Sequence, residues 1–451
     1  MKKYDVIIIG AGPAGIITGV TAKKQHPEKS MLMLMEEEKG LVPCGIPYVF
    51  HELGGVEKNV MGPKPFVDLG GEVIIEKVVD IDFKSKSVKT KSGNEFGYEK
   101  LVFATGSKVV VPDFIPGYDL KNVFYIEKSF KYIKQLYENL KSKKNIVVIG
   151  GGFIGAEVAE QLALNEGKKI TLIESEQFCF SKAFSKELSQ IATEALAGTS
   201  VNIKTSVRVE RVNGNNGVVS SVSLDNGEEI QCEAVIMAIG YKPNTELAKK
   251  AGLELNKMGA ILVDNYERTK AKGVCAVGDC SQTIGFITGR MDYVMLASTA
   301  TAEARVLGHN LFGIEIRKTF IGTLAIFSTE INGIAMAAAG VNDSSAAEAN
   351  IKYVSAKFSD FDTHPGTFEH TSLLSVKLFA SSRDGSIIGG EVWGVRSAGV
   401  IINTIGLAIQ KGVTVFDFIS FQIGSHPLLT GAPTKTLLIK AAEGIIEKMK
   451  K

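Results

Sequence analysis

Tyr4-Asp-Val-Ile-Ile-Ile-Gly10-Ala-Gly-Pro-Ala-Gly15 decides the fold, and Asn145-Ile-Val-Val-Ile-Gly150-Gly-Gly-Phe-Ile-Gly155 repeats it. Each begins as a continuously apolar run, the pattern of a parallel strand buried on both faces. Each then turns through three spaced glycines. The first of them, Gly10 or Gly150, allows the tight bend. The second, Gly12 or Gly152, lets a pyrophosphate approach the backbone. The third, Gly15 or Gly155, lets the next helix pack closely on the strand. Pro13 and Ala14, or Phe153 and Ile154, open that helix, whose N-terminus faces the phosphates. One such fingerprint is a weak signal. Two in one polypeptide imply two bound nucleotides.

The flanking segments agree. Met31-Leu-Met-Leu-Met35 is a second strand, and it ends in Glu36, 24 positions past Gly12, where an acid meets a ribose diol. Lys169-Ile-Thr-Leu-Ile173 likewise ends in Glu174. An acid there accepts two ribose hydroxyls and repels a 2′-phosphate, and no arginine stands beside it, so NADH is favoured over NADPH. Leu101-Val-Phe103 is a strand closed by Ala104, Thr105 and Gly106. Ala234 to Gly240 mirrors it in the second unit, and Val277-Gly278-Asp279 ends a further strand in an acid. The stretch Val111-Pro-Asp-Phe-Ile-Pro-Gly117 reads as a domain boundary.

Bulk properties exclude other classes. A chain of 451 residues is expected to form roughly two to four domains. Apolar content of 45% and charged content of 22% are those of a globular protein. Lys+Arg 51 against Asp+Glu 49 leaves a net charge of +2 with no basic stripe, so nucleic acid is not an expected partner. No run is long enough to span a membrane, and Tyr4–Ile9 is too short and too early for a signal peptide. The five cysteines show neither a secreted framework nor zinc spacing. Free thiols in a reducing cytoplasm are expected, with Cys179, Cys232 and Cys275 buried. His364 and His370 carry no ligand spacing, so no metal is expected.

Cys44 differs. It lies in Val42-Pro-Cys-Gly-Ile-Pro-Tyr48, a shaped turn, and has no second cysteine nearby with which to form a dithiol. It can instead attack one sulfur of a substrate and hold it as a mixed disulfide or persulfide, or cycle through a sulfenic acid. A helix starting here would aim amides at the sulfur and favour thiolate.

Gly10–Gly15, Ala104-Thr-Gly106, Gly150–Gly155 with Glu157, and Val277-Gly-Asp279 together resemble the pyridine nucleotide–disulfide oxidoreductases, flavoproteins with two dinucleotide-binding domains. Within that family the chain is similar to the single-cysteine branch: coenzyme A-disulfide reductases, NADH oxidases, and NADH-dependent persulfide or sulfur reductases. The likeness covers residues 1 to about 318. It implies an α/β fold with two Rossmann-like domains. FAD would lie on the first fingerprint, with Asp279 at its ribityl or pyrophosphate region. NAD(H) would lie on the second, with Glu157 near the reactive ring. The FAD domain, residues 1–115 and 245–318, would be split by an inserted NAD(P)H domain, 116–244. Residues 319–451 would form an α+β interface domain that builds a homodimer or a dimer of dimers.

The resemblance puts Cys44 against the flavin and implies electron flow from NADH through flavin and Cys44 to a small sulfur substrate. The alternatives are an NADH oxidase or peroxidase, or a reductase of a small redox-protein partner. Coenzyme A-disulfide reductases carry a tyrosine-bearing segment near the C-terminus, whereas no tyrosine follows Tyr353 here. His426-Pro427 instead resembles the His-Pro dyad of the two-cysteine reductases, where a histidine of the partner subunit is the acid/base. The glutamate that supports it there is replaced by Gly431. Catalysis and loop structure both stay open for His426.

Overall fold

Lys2–Ile9 is the centre of the first sheet, buried from Val6 to Ile9 in the computed structural model, which describes residues 1–292 and 294–450. Met31–Met35 pairs parallel on one side, with Glu72–Ile75 beyond it. Glu95–Phe103 pairs parallel on the other. Val274–Ala276 then pairs with Leu101–Phe103, so the sheet takes its last parallel strand from far down the chain. A meander, Val78–Asp82 with Ser87–Thr90, extends the edge. The strands read as unbroken apolar runs because both faces are covered. Val6, Ile8 and Met33 pack under the helices Pro13–Gln25 and Ala297–Asn310, while Ile7, Leu32 and Leu101 pack on the opposite side.

The second sheet is wholly parallel, in the order Val123–Tyr125, Ala234–Met237, Asn145–Ile149, Lys169–Ile173, Val201–Lys204. The chain crosses between the two units twice. Both crossings are joined in one antiparallel ladder, Ser107–Val109 against Tyr241–Pro243.

The last unit is a five-stranded antiparallel sheet, ordered Phe327–Ile331, Ile334–Gly340, Ile387–Gly394, Leu373–Ser381, Tyr353–Phe361. The helices Ala398–Lys411 and Leu437–Met449 cover its apolar face through Ile402, Ile405, Leu438 and Ile445. The architecture is thus two Rossmann-like α/β units and an α+β unit. Among the described residues, no helix is long and apolar enough to cross a membrane.

Candidate active site at the meeting of the three units

Both fingerprints fold into the same shape. Gly10 has φ +110°, and a Cβ there would lie 2.2 Å from the Ala104 carbonyl oxygen. Gly150 has φ +106°, and its Cβ would lie 2.6 Å from the Ala238 carbonyl oxygen. No other residue fits either bend. Gly12 and Gly152 face open space and precede helices that no side chain caps. Their first-turn amides therefore point outward unpaired, a ready anion site. Gly106 and Gly240, both left-handed, turn the chain at the ends of the neighbouring strands. Thr105 Oγ1 donates to the Asn244 carbonyl at 2.6 Å, tying those two turns together.

Glu174 reaches over the second turn. Its Oε2 accepts the Gly151 N–H at 2.5 Å and its Oε1 the Glu176 N–H at 2.8 Å. Glu36 is exposed at its strand end and pairs with Lys77 at 2.8 Å.

Asp279 sits on the turn after Val274–Ala276. Its Oδ2 accepts from Ser107 Oγ at 2.6 Å and from Lys128 Nζ at 2.7 Å. Its other oxygen bonds to no described residue, and Asp279 lines a cleft with Pro243, Met258 and Thr283. A free carboxylate oxygen on a cleft wall can accept from ribityl hydroxyls, and the unpaired amides at Gly12 can donate to a pyrophosphate, so these residues fit FAD. The Gly278 N–H beside Asp279 donates to Glu303 at 2.7 Å, and burial raises that carboxyl to about 8.

Cys44 is exposed, whereas Cys179, Cys232, Cys275 and Cys280 are buried. The expected helix at Cys44 does not form. Pro47 has no N–H for the Pro43 carbonyl, which takes the Ile46 N–H at 3.3 Å instead. Two 3-10 turns result, Pro43–Gly45 and Pro47–Phe50. The expected thiolate bias is also reversed. Protein packed about the sulfur pushes the thiol up, and the charges of Glu157 and Asp279 add to this, against the opposing pull of Lys128. Glu157, Lys128 and Asp279 are thus the charged groups whose fields reach Cys44. Glu157 is buried, accepts from Thr329 Oγ1 at 2.8 Å and is raised to about 7 by burial. Phe153 stacks on Phe327 at 5.3 Å.

His426 is not brought to this cluster within one chain. It is exposed on a loop held by His364, whose N–H donates to the Pro427 carbonyl at 3.0 Å. Its Nδ1 accepts the Leu428 N–H at 3.3 Å, and among the described residues no hydrogen bond or ion pair joins it to Cys44. Lys128, Ser107, Thr329 and Glu303 are site residues that sequence reasoning missed. Only Ser107, adjoining the Ala104–Gly106 turn, carried a local signal.

Two nucleotide cradles and one exposed cysteine are the marks of a nicotinamide- and flavin-dependent oxidoreductase. A family model described as pyridine nucleotide-disulphide oxidoreductase matches residues 4–304, and one for that family's dimerisation domain matches residues 326–437. The chain belongs to this family and is an NAD(P)H-dependent flavoprotein that uses FAD and NAD(H). It is 31% identical to the NAD(P)H coenzyme A polysulfide/persulfide reductase of Pyrococcus horikoshii, over 92% of this chain and 93% of that one. It is 28% identical to an NADH oxidase of Methanocaldococcus jannaschii, over 98% and 99%. Among solved structures it resembles a NAD-dependent persulfide reductase from A. fulgidus, with TM-score 0.89 and 27% identity over 99% of this chain and 83% of that one.

Proposed function

We propose that this enzyme carries two electrons from NADH through Cys44 to a small sulfur compound: a persulfide, a polysulfide or a coenzyme A-linked disulfide. One observation carries the reading. The single exposed cysteine is the one electrostatically joined to Asp279 of the first unit and to Lys128 and Glu157 of the second. The name of the Pyrococcus horikoshii relative, a polysulfide/persulfide reductase, supports it.

Bound FAD supplies the two-electron relay between nicotinamide and sulfur. The chain's own residues do the rest. Gly12 amides and Asp279 hold one dinucleotide; Gly152 amides and Glu174 hold the other, with NADH preferred because Glu174 repels a 2′-phosphate. Lys128 draws Cys44 towards thiolate. The thiolate attacks a substrate sulfur, the S–S bond breaks, and the other half leaves as thiolate while Cys44 keeps a mixed disulfide or persulfide. Two electrons drawn from NADH cleave that bond and return Cys44 to thiolate. We further infer a homodimer built by residues 319–451, in which His426 of one chain serves the partner's site as acid/base. The split domain reading, 1–115 with 245–318 around 116–244, is supported by the pairing of Val274–Ala276 with Leu101–Phe103, and the free thiols suit a cytoplasmic enzyme.

The second reading is an NADH oxidase or peroxidase, favoured by relatives of that name and by an exposed cysteine able to cycle through sulfenic acid. Anaerobic stopped-flow of the NADH-reduced protein separates the two. Reoxidation by polysulfide or coenzyme A disulfide should outrun reoxidation by oxygen or peroxide; the reverse order would move the assignment to the second reading. Rapid reoxidation by a small redox protein alone would move it to an electron-transfer reductase.

A further inference from the structure

Tyr48 lies four residues past Cys44, on the second of the two successive 3-10 turns. That turn is bolted to the helix Phe153–Ala163, which carries Glu157. Gln161 Oε1 accepts the Glu52 N–H at 3.0 Å, and Asn165 Nδ2 donates to the Phe50 carbonyl at 3.1 Å. The turn that carries Tyr48 is therefore fixed between the cysteine turn and the helix of the second fingerprint. It is half-buried, yet its hydroxyl is accessible and makes no hydrogen bond among the described residues. A hydroxyl left open in this way can donate to an incoming group. Its electrostatic neighbours are Glu157, Glu160, Glu330 and Cys44, all groups that carry negative charge when ionised. Burial and these neighbours oppose loss of the phenolic proton, so the group stays a donor.

We propose that Tyr48 is a catalytic hydrogen-bond donor, whose phenol holds the sulfur that departs when Cys44 takes its share of the substrate. The assignment rests on Cys44 being the nucleophile. In the step concerned, the Cys44 thiolate forms a bond to one sulfur of R–S–S–R′, and the S–S bond of the substrate breaks. R′–S⁻ leaves with that electron pair. Cys44 is oxidised to the mixed disulfide and the departing sulfur is reduced, so electrons balance without a further reagent. No proton need cross from Tyr48. A phenol that resists ionisation shares its hydrogen with the developing thiolate and keeps it, and the product thiolate takes a proton from solvent at its own pKa. Such a bond stabilises the charge that grows on the leaving sulfur, and it matters most when that sulfur is a poor leaving group.

Tyr48→Phe removes only the hydroxyl. Its FAD absorbance and its rate of flavin reduction by NADH should match the parent. Reoxidation by polysulfide and coenzyme A disulfide should slow by about 10–100-fold, the range of a hydrogen bond to a charged group. A series of aryl disulfides of graded thiol pKa gives the sharper readout. The parent should show a shallow dependence of rate on leaving-thiol pKa, and Tyr48→Phe a steep one. Equal slopes, or a loss uniform across the series, would assign Tyr48 to structure and overturn the proposal. Cys44→Ser is run beside it. If that variant still reduces the disulfides, the nucleophile reading fails and Tyr48 falls with it. If that variant is dead while Tyr48→Phe is unimpaired, only the Tyr48 proposal fails.

Discussion

At the scale of single residues, the site is an argument between charges over one sulfur. Burial, Glu157 and Asp279 keep the Cys44 proton on; Lys128 pulls it off. Removing Lys128 as Lys128→Met should therefore shift the pH profile of Cys44 alkylation by iodoacetamide upward, which mass spectrometry reads directly. Cys44→Ser should abolish turnover of sulfur substrates while FAD content and flavin reduction by NADH survive, since neither fingerprint is touched. Glu174→Ala should lower kcat/KM for NADH by roughly tenfold, through lost hydrogen bonds to ribose hydroxyls, and spare NADPH. Cys44 was legible as the odd cysteine because prolines and glycine around it shape a turn rather than a core strand. Lys128 was not. It meets Asp279 across 151 positions, and a lysine in a polar stretch leaves no periodic trace.

At the scale of elements, legibility followed backbone sterics. The two glycine turns were readable because Gly10 and Gly150 bend where a side chain would strike a carbonyl oxygen. The same sterics make a prediction. A Cβ on Gly15 would lie 2.0 Å from the Gly10 carbonyl oxygen, and one on Gly155 would lie 1.8 Å from that of Gly150. Gly15→Ala should purify with little FAD. Gly155→Ala should keep its FAD but be reduced poorly by NADH, as flavin absorbance and anaerobic titration would record. The helix expected at Cys44 failed because it was carried through Pro47, whose missing N–H leaves the Pro43 carbonyl to the Ile46 N–H and tightens the chain into 3-10 turns.

At the scale of the whole molecule, buried acids tie the units together. Glu391 of the last sheet is 1% exposed and accepts the Ser185 N–H at 2.5 Å and the Ser185 hydroxyl at 2.6 Å, at the start of the helix Lys186–Ala197. Burial raises its carboxyl from 4.5 to about 7. A raised acid stabilises the fold fully below its unfolded value, and that contribution is lost as pH climbs through the folded one. The melting temperature should thus fall between about pH 5 and pH 8 more steeply in the parent than in Glu391→Gln, which keeps the Ser185 contacts without a titrating proton. Val400, 71% exposed, and Leu407, 56% exposed, share one face of Ala398–Lys411. Sedimentation should show a dimer, and Leu407→Glu should weaken it; an active monomer would remove His426 from the site.

The late pairing of Val274–Ala276 with Leu101–Phe103 also orders events on the ribosome. The nicotinamide-binding unit is contiguous and can close as soon as its own strands emerge. The flavin sheet, although begun by the first residues made, must wait with an open edge until the whole inserted unit and the strand beyond it have been synthesised. Chains stalled before Val274 should therefore hold a dinucleotide on the second fingerprint alone, and the open edge at Leu101–Phe103 is the surface that nascent chains most need shielded from one another.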